Sequence, residues 1–209
     1  LIECSQIRSR LSVLNQFIIC LTGMPGAGKS TVATFLQSKG FHLITMGDII
    51  REKAVENNLP MDDKSLGDLM KNLRKHHGNE VVARLVMEKI KELENVSLIV
   101  VDGIRSYEEY IVLKNIGFVK LLAIHASSTI RYDHIKLRDR SDTPSNHEKF
   151  LQRDEREMSV GISKAIALAD ESISNNDLSL IELKNHVEVI IKKWSDEYDN
   201  WKQKSFLTT

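Results

Sequence analysis

Eight consecutive residues, Gly23-Met24-Pro25-Gly26-Ala27-Gly28-Lys29-Ser30, carry glycines, a lysine and a hydroxyl at the spacing G-x-x-x-x-G-K-[ST]. The residue types indicate the chemistry. Glycines let consecutive backbone N–H groups turn toward phosphate oxygens, and a helix starting at Lys29 offers its positive dipole end to the same anion. Lys29 would then reach the β- and γ-phosphates of a nucleoside triphosphate, while the Ser30 hydroxyl serves a Mg²⁺ ion that bridges phosphate oxygens. Gly23, Pro25, Gly26, Ala27, Gly28, Lys29, Ser30 and Thr31 are the candidate nucleotide-binding set of this phosphate loop.

An acid and several arginines could complete such a site. Asp102 directly follows the apolar run Ser97-Leu98-Ile99-Val100-Val101, the place from which a carboxylate holds Mg²⁺ directly or through water. Its alternative role is to cap a helix starting near Ser106. Arg131, Arg138, Arg140, Arg153 and Arg156 fall within 26 residues, on either side of Ser141-Asp142-Thr143-Pro144-Ser145-Asn146. As a set they suit a lid of planar cations over a migrating phosphoryl group. Each could instead be solvated and paired with Asp133, Asp139, Asp154, Glu155 or Glu157. His76 and His77 are adjacent rather than four apart, which does not suit a metal site on a helix.

The elements that must position these residues alternate between strand and helix, which predicts a parallel sheet covered by helices. Phe17–Leu21 reads as a strand buried on both faces, and Lys29–Lys39 as the helix after the loop, stopped by Gly40. Phe41–Thr45 is the second strand. A helix follows from Asp48, as cap or first-turn acid, to about Val55, with Arg51 near its start and a break at Asn57-Asn58-Leu59-Pro60. Helical patterns cover 64–76 and 79–93, strands 97–101 and 119–125, and a helix 108–116. From Thr129 the chain reads as basic helix, polar loop and basic helix, then a helical pattern over 161–169 and a short strand at 171–174. Asp177 or Ser179 caps a last helix whose stripe of Leu183, Val187, Ile190, Trp194, Tyr198 and Trp201 faces the core. Its far end could meet residues 1–16 or a second subunit. Residues 1–16 carry Ile2, Ile7, Leu11 and Leu14, spaced as in a short amphipathic helix or a partly ordered extension.

Composition narrows the function classes. At 209 residues the chain suits one α/β domain, and 29 basic against 29 acidic residues leave no net charge to favour nucleic acid or an anionic membrane. Cys4 and Cys20 lie far apart, which predicts a reduced cytoplasmic protein. No apolar run approaches the roughly 18 residues of a membrane helix.

Thr45-Met46-Gly47-Asp48-Ile49-Ile50-Arg51 resembles the nucleoside-monophosphate signature of adenylate kinases, and Asp102-Gly103-Ile104-Arg105 resembles their second one. The resemblance implies that Arg51 and Arg105 bind the acceptor's phosphate, with Met46, Gly47, Asp48 and Gly103 beside it. Arg138, Arg153 and Arg156 match the catalytic lid arginines, and Ser30 and Asp102 the Mg²⁺ ligands. More broadly, residues 17–193 are similar to an archaeal family related to adenylate kinases, sharing the phosphate loop, Arg140-Ser141-Asp142, Arg153-Asp154 and Ser159-Val160-Gly161-Ile162. The chain departs from adenylate kinases in lacking a proline before Arg105 and cysteines in the lid loop. Ala169-Asp170 with Ile173-Ser174-Asn175-Asn176 is similar to the end of dephospho-coenzyme A kinases, which implies that Asn175 borders the adenine of ATP.

These resemblances imply a three-layer phosphate-loop fold with five parallel strands ordered 2-3-1-4-5. Residues 1–16 would precede a kinase domain over 17–209, with an acceptor-binding helical region at 46–95, a lid at 138–150 and a C-terminal helix at 178–205. The implied reaction is transfer of the ATP γ-phosphoryl group to a nucleoside monophosphate, most plausibly AMP, with Mg²⁺ as cofactor. A homodimer is possible in this family picture. Two alternatives stay open: a dephospho-coenzyme A kinase, and an adenylate-kinase-like ATPase that acts as an assembly switch. Against the first, the positions where dephospho-coenzyme A kinases carry carboxylates align with Thr45 and Gly47, and a threonine cannot act as general base near neutral pH.

Overall fold

The computed structural model describes residues 15–137 and 146–207. Phe17–Thr22 forms β1 and is buried along its whole length. Its side chains alternate between two cores, as a two-residue period requires. Ile18 and Cys20 enter one core, and Phe17, Ile19 and Leu21 enter the other. After the phosphate loop come α1 (Lys29–Ser38), β2 (His42–Thr45), α2 (Met46–Glu56), α3 (Asp63–His77), α4 (Val81–Glu92) and β3 (Leu98–Ile104). The rest is α5 (Tyr107–Leu113) with a 3₁₀ turn at Lys114–Ile116, β4 (Phe118–His125), α6 (Ser128–Lys136), α7 (His147–Val160), α8 (Ile162–Ala167), β5 (Glu171–Ser174) and α9 (Leu180–Leu207).

All four strand pairings are parallel, and the order is β2-β3-β1-β4-β5, as the resemblance implied. One face of the sheet buries residues of α2, α4, α5 and α8, including Ile49, Val86, Tyr110 and Ala165. The other buries α1 and α9 through Leu36, Leu183, Val187 and Trp194. Every strand therefore points its C-terminal end to the same edge, where an open α/β sheet leaves its crevice.

Several boundaries differ from the sequence reading, each for a local reason. β3 runs on through Asp102-Gly103-Ile104, because its pairing with β1 shifts at Leu21/Thr22 and resumes with Thr22 beside Ile104. The Thr22 hydroxyl donates to the Ile104 carbonyl at 2.9 Å, and Gly103 adopts φ +105°, which favours glycine. α2 begins at Met46 with Thr45 as its cap, so Asp48 is a first-turn acid. Ser106, not Asp102, caps α5 in a reciprocal capping box with Glu109. Ser179 and Glu182 exchange bonds at the start of α9, which spans 180–207 rather than 178–205. Of the lid expected at 138–150, residues 138–145, including Arg138 and Arg140, lie outside the described residues, and 147–150 form the first turn of α7 under an Asn146 cap.

The far end of the α9 stripe packs on its own chain. Tyr198 stacks on Phe17 at 5.3 Å between ring centroids and donates its hydroxyl to the Asn15 carbonyl, while Trp201 tilts against Phe118. Among the described helices none is long and apolar enough to cross a membrane.

Helices α6 and α7 are joined by a buried pair. Arg131 Nη1 and Nη2 donate to Asp154 Oδ1 and Oδ2 at 2.8 and 2.5 Å, and its guanidinium lies 5.1 Å from the Phe150 ring centroid. Grouped with the lid arginines in sequence, Arg131 is instead 5% exposed and belongs to the interior. Removing one partner strands the other's charge, so Asp154→Ala should cost about 3–5 kcal/mol in urea unfolding. Arg131→Met combined with Asp154→Leu should recover only part of that loss, because Arg131 also donates to the Pro25 and Ala126 carbonyls at 3.1 Å each. A single variant as stable as the native chain would refute this account of the pair.

Candidate active site

The phosphate loop links β1 to α1 at the sheet's C-terminal edge. Gly23 sits at φ +143°, and a Cβ there would lie 2.1 Å from the Ile124 carbonyl oxygen, so only glycine lets β4 approach. Gly28, at φ +108°, precedes α1, and no side chain caps that helix start. Its first-turn amides and dipole thus face the crevice, as anion binding requires.

The loop is held through its carbonyls, from the chamber side by Lys29 and from the far side by more distant residues. Lys29 Nζ donates to Gly23 O at 2.6 Å and Met24 O at 3.2 Å. Arg131 Nη1 donates to Pro25 O at 3.1 Å, and Asn175 Nδ2 to Ala27 O at 2.9 Å. His134 Nδ1 lies 3.0 Å from Gly26 O, which assigns the proton to Nδ1 because a carbonyl only accepts. Gly28 O takes the N–H groups of Thr31 and Val32. Each carbonyl from 23 to 28 therefore has a donor, and three of those donors come from beyond β4. Sequence reading placed none of Arg131, His134 and Asn175 in this role. Asn175, expected beside an adenine, is buried, with its amide on the loop and its backbone N–H on His125 O at 2.7 Å.

A chamber of about 1090 Å³ opens from the loop. Gly23, Pro25, Gly26, Lys29 and Ser30 line its loop end, and Asp102 lines it from β3, where it stands in register with Thr45 of β2. Gly47, Asp48, Arg51, Gly103 and Arg105 line the end toward α2 and α3, and Arg153 and Arg156 line it from α7. The structure thus brings most of the expected site residues around one space. Ala27 is fully buried within the loop, and Met46 is buried in the core.

The arginines are held differently. Arg51 Nη1 meets Asp48 Oδ1 at 2.6 Å, three residues earlier on an exposed face of α2. Arg105 Nη1 meets Glu157 Oε1 of α7 at 3.1 Å. The Arg105 backbone N–H donates to Glu109 Oε2 at 2.7 Å, and the Ser106 N–H joins it at 3.1 Å. Arg74 Nη2 reaches Glu109 Oε1 at 3.1 Å. Burial pushes the Glu109 carboxyl above its ordinary value, while Arg74 and the backbone N–H and charge of Arg105 pull it back. Burial likewise raises the Cys20 thiol, which rules it out as a nucleophile at neutral pH.

Among the described residues no group of three or more His, Cys, Asp or Glu side chains could hold a metal alone. The Ser30 hydroxyl and Asp102 carboxylate nonetheless form a hard oxygen pair on one chamber. That suits Mg²⁺, which binds through one or two protein oxygens, with water and phosphate completing its shell.

Known proteins agree with this geometry at the level of fold. Shikimate kinases from Bacteroides thetaiotaomicron and Acinetobacter baumannii, the latter solved with shikimate, superpose with TM-scores of 0.60 and 0.54 at 15% identity. The superpositions cover 86% and 88% of this chain and 98% and 97% of theirs. Residues 19–157 match a family described as an AAA domain. In sequence, a UPF0200 protein of Pyrococcus abyssi is 41% identical over 84% of this chain and 96% of its own length, and one of Hyperthermus butylicus is 36% identical over 88% and 97%. A UPF0200 protein of Methanocaldococcus jannaschii is 32% identical over 91% and 96%. Relatedness at this level, over more than four fifths of the chain and nearly the whole length of each relative, means that the chain belongs to the UPF0200 family.

Proposed function

We propose that this protein transfers the γ-phosphoryl group of ATP to a nucleoside monophosphate, with AMP the preferred acceptor. The observation that carries the reading is the single chamber with the phosphate loop at one end and Arg51 and Arg105 at the other. Two anions drawn to those two ends meet between Lys29 and the α7 arginines.

In this reading the loop amides and Lys29 hold the β- and γ-phosphates, and Arg51 and Arg105 hold the acceptor phosphate. Met46, Gly47, Asp48 and Gly103 shape the acceptor's seat within an acceptor-binding region at 46–95. Arg138, Arg153 and Arg156, on or beside a lid over 138–150, offset charge that spreads over the equatorial oxygens in the transition state. Ser30 and Asp102 are the residues that would hold Mg²⁺, which when bound neutralises charge on the bridging phosphate oxygens. The acceptor end suits an anion better than a sugar hydroxyl. A hydroxyl must lose a proton as it attacks and needs a base, whereas a monophosphate needs positive charge. β2 ends in Thr45, and the Asp48 carboxylate is engaged by Arg51.

Lys29→Ala should abolish ADP formation from ATP and AMP while leaving thermal unfolding close to native, because this side chain serves the loop and its ligand rather than either core. Near-normal turnover in the folded variant would exclude the phosphate-loop assignment.

Arg51→Ala should weaken AMP far more than a non-hydrolysable ATP analogue in calorimetry. A charge-assisted contact to phosphate contributes about 1.5–3 kcal/mol, or roughly a ten- to hundredfold change in Kd. Equal losses for both ligands would remove Arg51 from the acceptor site.

A screen of labelled ATP against nucleoside monophosphates and dephospho-coenzyme A should give transfer to AMP and little to dephospho-coenzyme A, with only a modest change in Thr45→Ala. Robust phosphorylation of dephospho-coenzyme A, lost in Asp48→Asn, would make Asp48 a general base and overturn the reading.

A further inference from the structure

Beside the chamber, between α2, α3 and β3, lies a niche of about 10 Å³, bordered by Gly47, Arg74, Gly103, Arg105 and Glu109. That is about the space one water-sized group occupies. Arg74 reaches it from the last turn of α3, with its side chain only 10% exposed. Its Nη2 is committed to Glu109, but its Nε is buried and has no hydrogen-bond partner among the described residues. A buried guanidinium N–H left without an acceptor is costly, so its persistence calls for an oxygen that the described residues do not supply.

Glu109 does not accept from Nε, and its carboxylate is engaged elsewhere. Oε1 takes Arg74 Nη2, and Oε2 takes the backbone N–H groups of Arg105 and Ser106. One buried acid therefore fixes Arg74 through its side chain and Arg105 through its main chain, so that both arginines border the same niche. The remaining walls combine the apolar side chains of Met46, Ile50, Met70 and Val82 with glycine backbone, so the niche admits one oxygen beside the arginines rather than a whole anion. Gly47 and Gly103 present backbone without side chains, and Gly103, at φ +105°, turns its peptide in a way a larger residue would resist.

We infer that this niche is an oxyanion subsite in which Arg74, positioned by Glu109, binds one oxygen of the acceptor's phosphate. Arg74 is then an acceptor-binding residue in addition to Arg51 and Arg105. The planar fork of arginine allows Nη2 to hold Glu109 while Nε meets the ligand, which the point charge of lysine cannot reproduce. The inference rests on the proposed use of a nucleoside monophosphate as acceptor, and it adds that the site reads the phosphate rather than the nucleoside at this point.

The test uses Arg74→Lys and Arg74→Gln, both of which keep a donor for Glu109, with AMP, adenosine and a non-hydrolysable ATP analogue as calorimetric probes and thermal unfolding as the check on folding. In whichever variant is folded, the AMP Kd should rise at least tenfold, while the adenosine and ATP-analogue values stay within about twofold of native. The KM for AMP should rise more than kcat falls. An AMP Kd within twofold of native in a folded variant overturns the subsite, as does equal weakening of AMP and adenosine. A native protein that neither binds nor phosphorylates AMP or any other nucleoside monophosphate defeats the parent reading instead, and that result is seen without any substitution.

Discussion

A loop that binds phosphate with its backbone N–H groups must turn those donors toward the ligand, so its carbonyls point back into the protein and must be satisfied there. That requirement shapes much of the structure around residues 23–28. Lys29 serves the first two carbonyls, Arg131 the third, His134 the fourth, Asn175 the fifth and the first turn of α1 the sixth. A buried carbonyl without a donor is costly, so the loop's shape depends on side chains delivered by α6 and by the end of β5. The β1-β4-β5 side of the sheet is what brings them there, since β4 leads into α6 and β5 ends beside Asn175.

This dependence explains what was legible in the sequence. The strand, glycine loop and helix from Phe17 to Ser38 are encoded by neighbours, and so is the alternation that predicts a parallel sheet. The strand order 2-3-1-4-5 came from the resemblance rather than from any pattern of residues. The supports of the loop were hidden, because Arg131 and Pro25 are 106 residues apart, His134 and Gly26 108, and Asn175 and Ala27 148. Nothing local distinguishes Arg131 from Arg153 and Arg156, three basic residues on amphipathic helices. Only burial separates them, since Arg131 is enclosed against Asp154 while Arg153 and Arg156 line the chamber. Arg74 was missed for the same reason, as its partner Glu109 lies on α5, 35 residues away.

Two arginine–carboxylate pairs of similar chemistry thus stand at opposite ends of the chamber. Arg131–Asp154 is bidentate, and both partners are below 10% side-chain exposure, so its donors are spent on the fold and on Pro25. Arg74–Glu109 is a single contact that leaves an Nε without an acceptor among the described residues. Buried ion pairs recover their desolvation only when the hydrogen bonds around them are complete. The loop-side pair is complete within the chain and reads as architecture. The α3-side pair is incomplete and reads as a place where a ligand finishes the network.

Helix α7 connects these two ends. Asp154 and Glu157 are three residues apart and share its buried face. The first engages Arg131 behind the phosphate loop, and the second engages Arg105 at the other end. Arg153 and Arg156 repeat the same three-residue step, each one position before one of those acids, which turns them to the neighbouring face along the chamber. A single rigid helix therefore sets the spacing between the group that shapes the loop and the group that anchors Arg105, and it carries the cations that lie between them. In the proposed reaction, in-line phosphoryl transfer would tolerate little error in the separation of donor and acceptor. Placing Asp154 and Glu157 on consecutive turns of one helix fixes the separation of the two groups they hold by helix geometry.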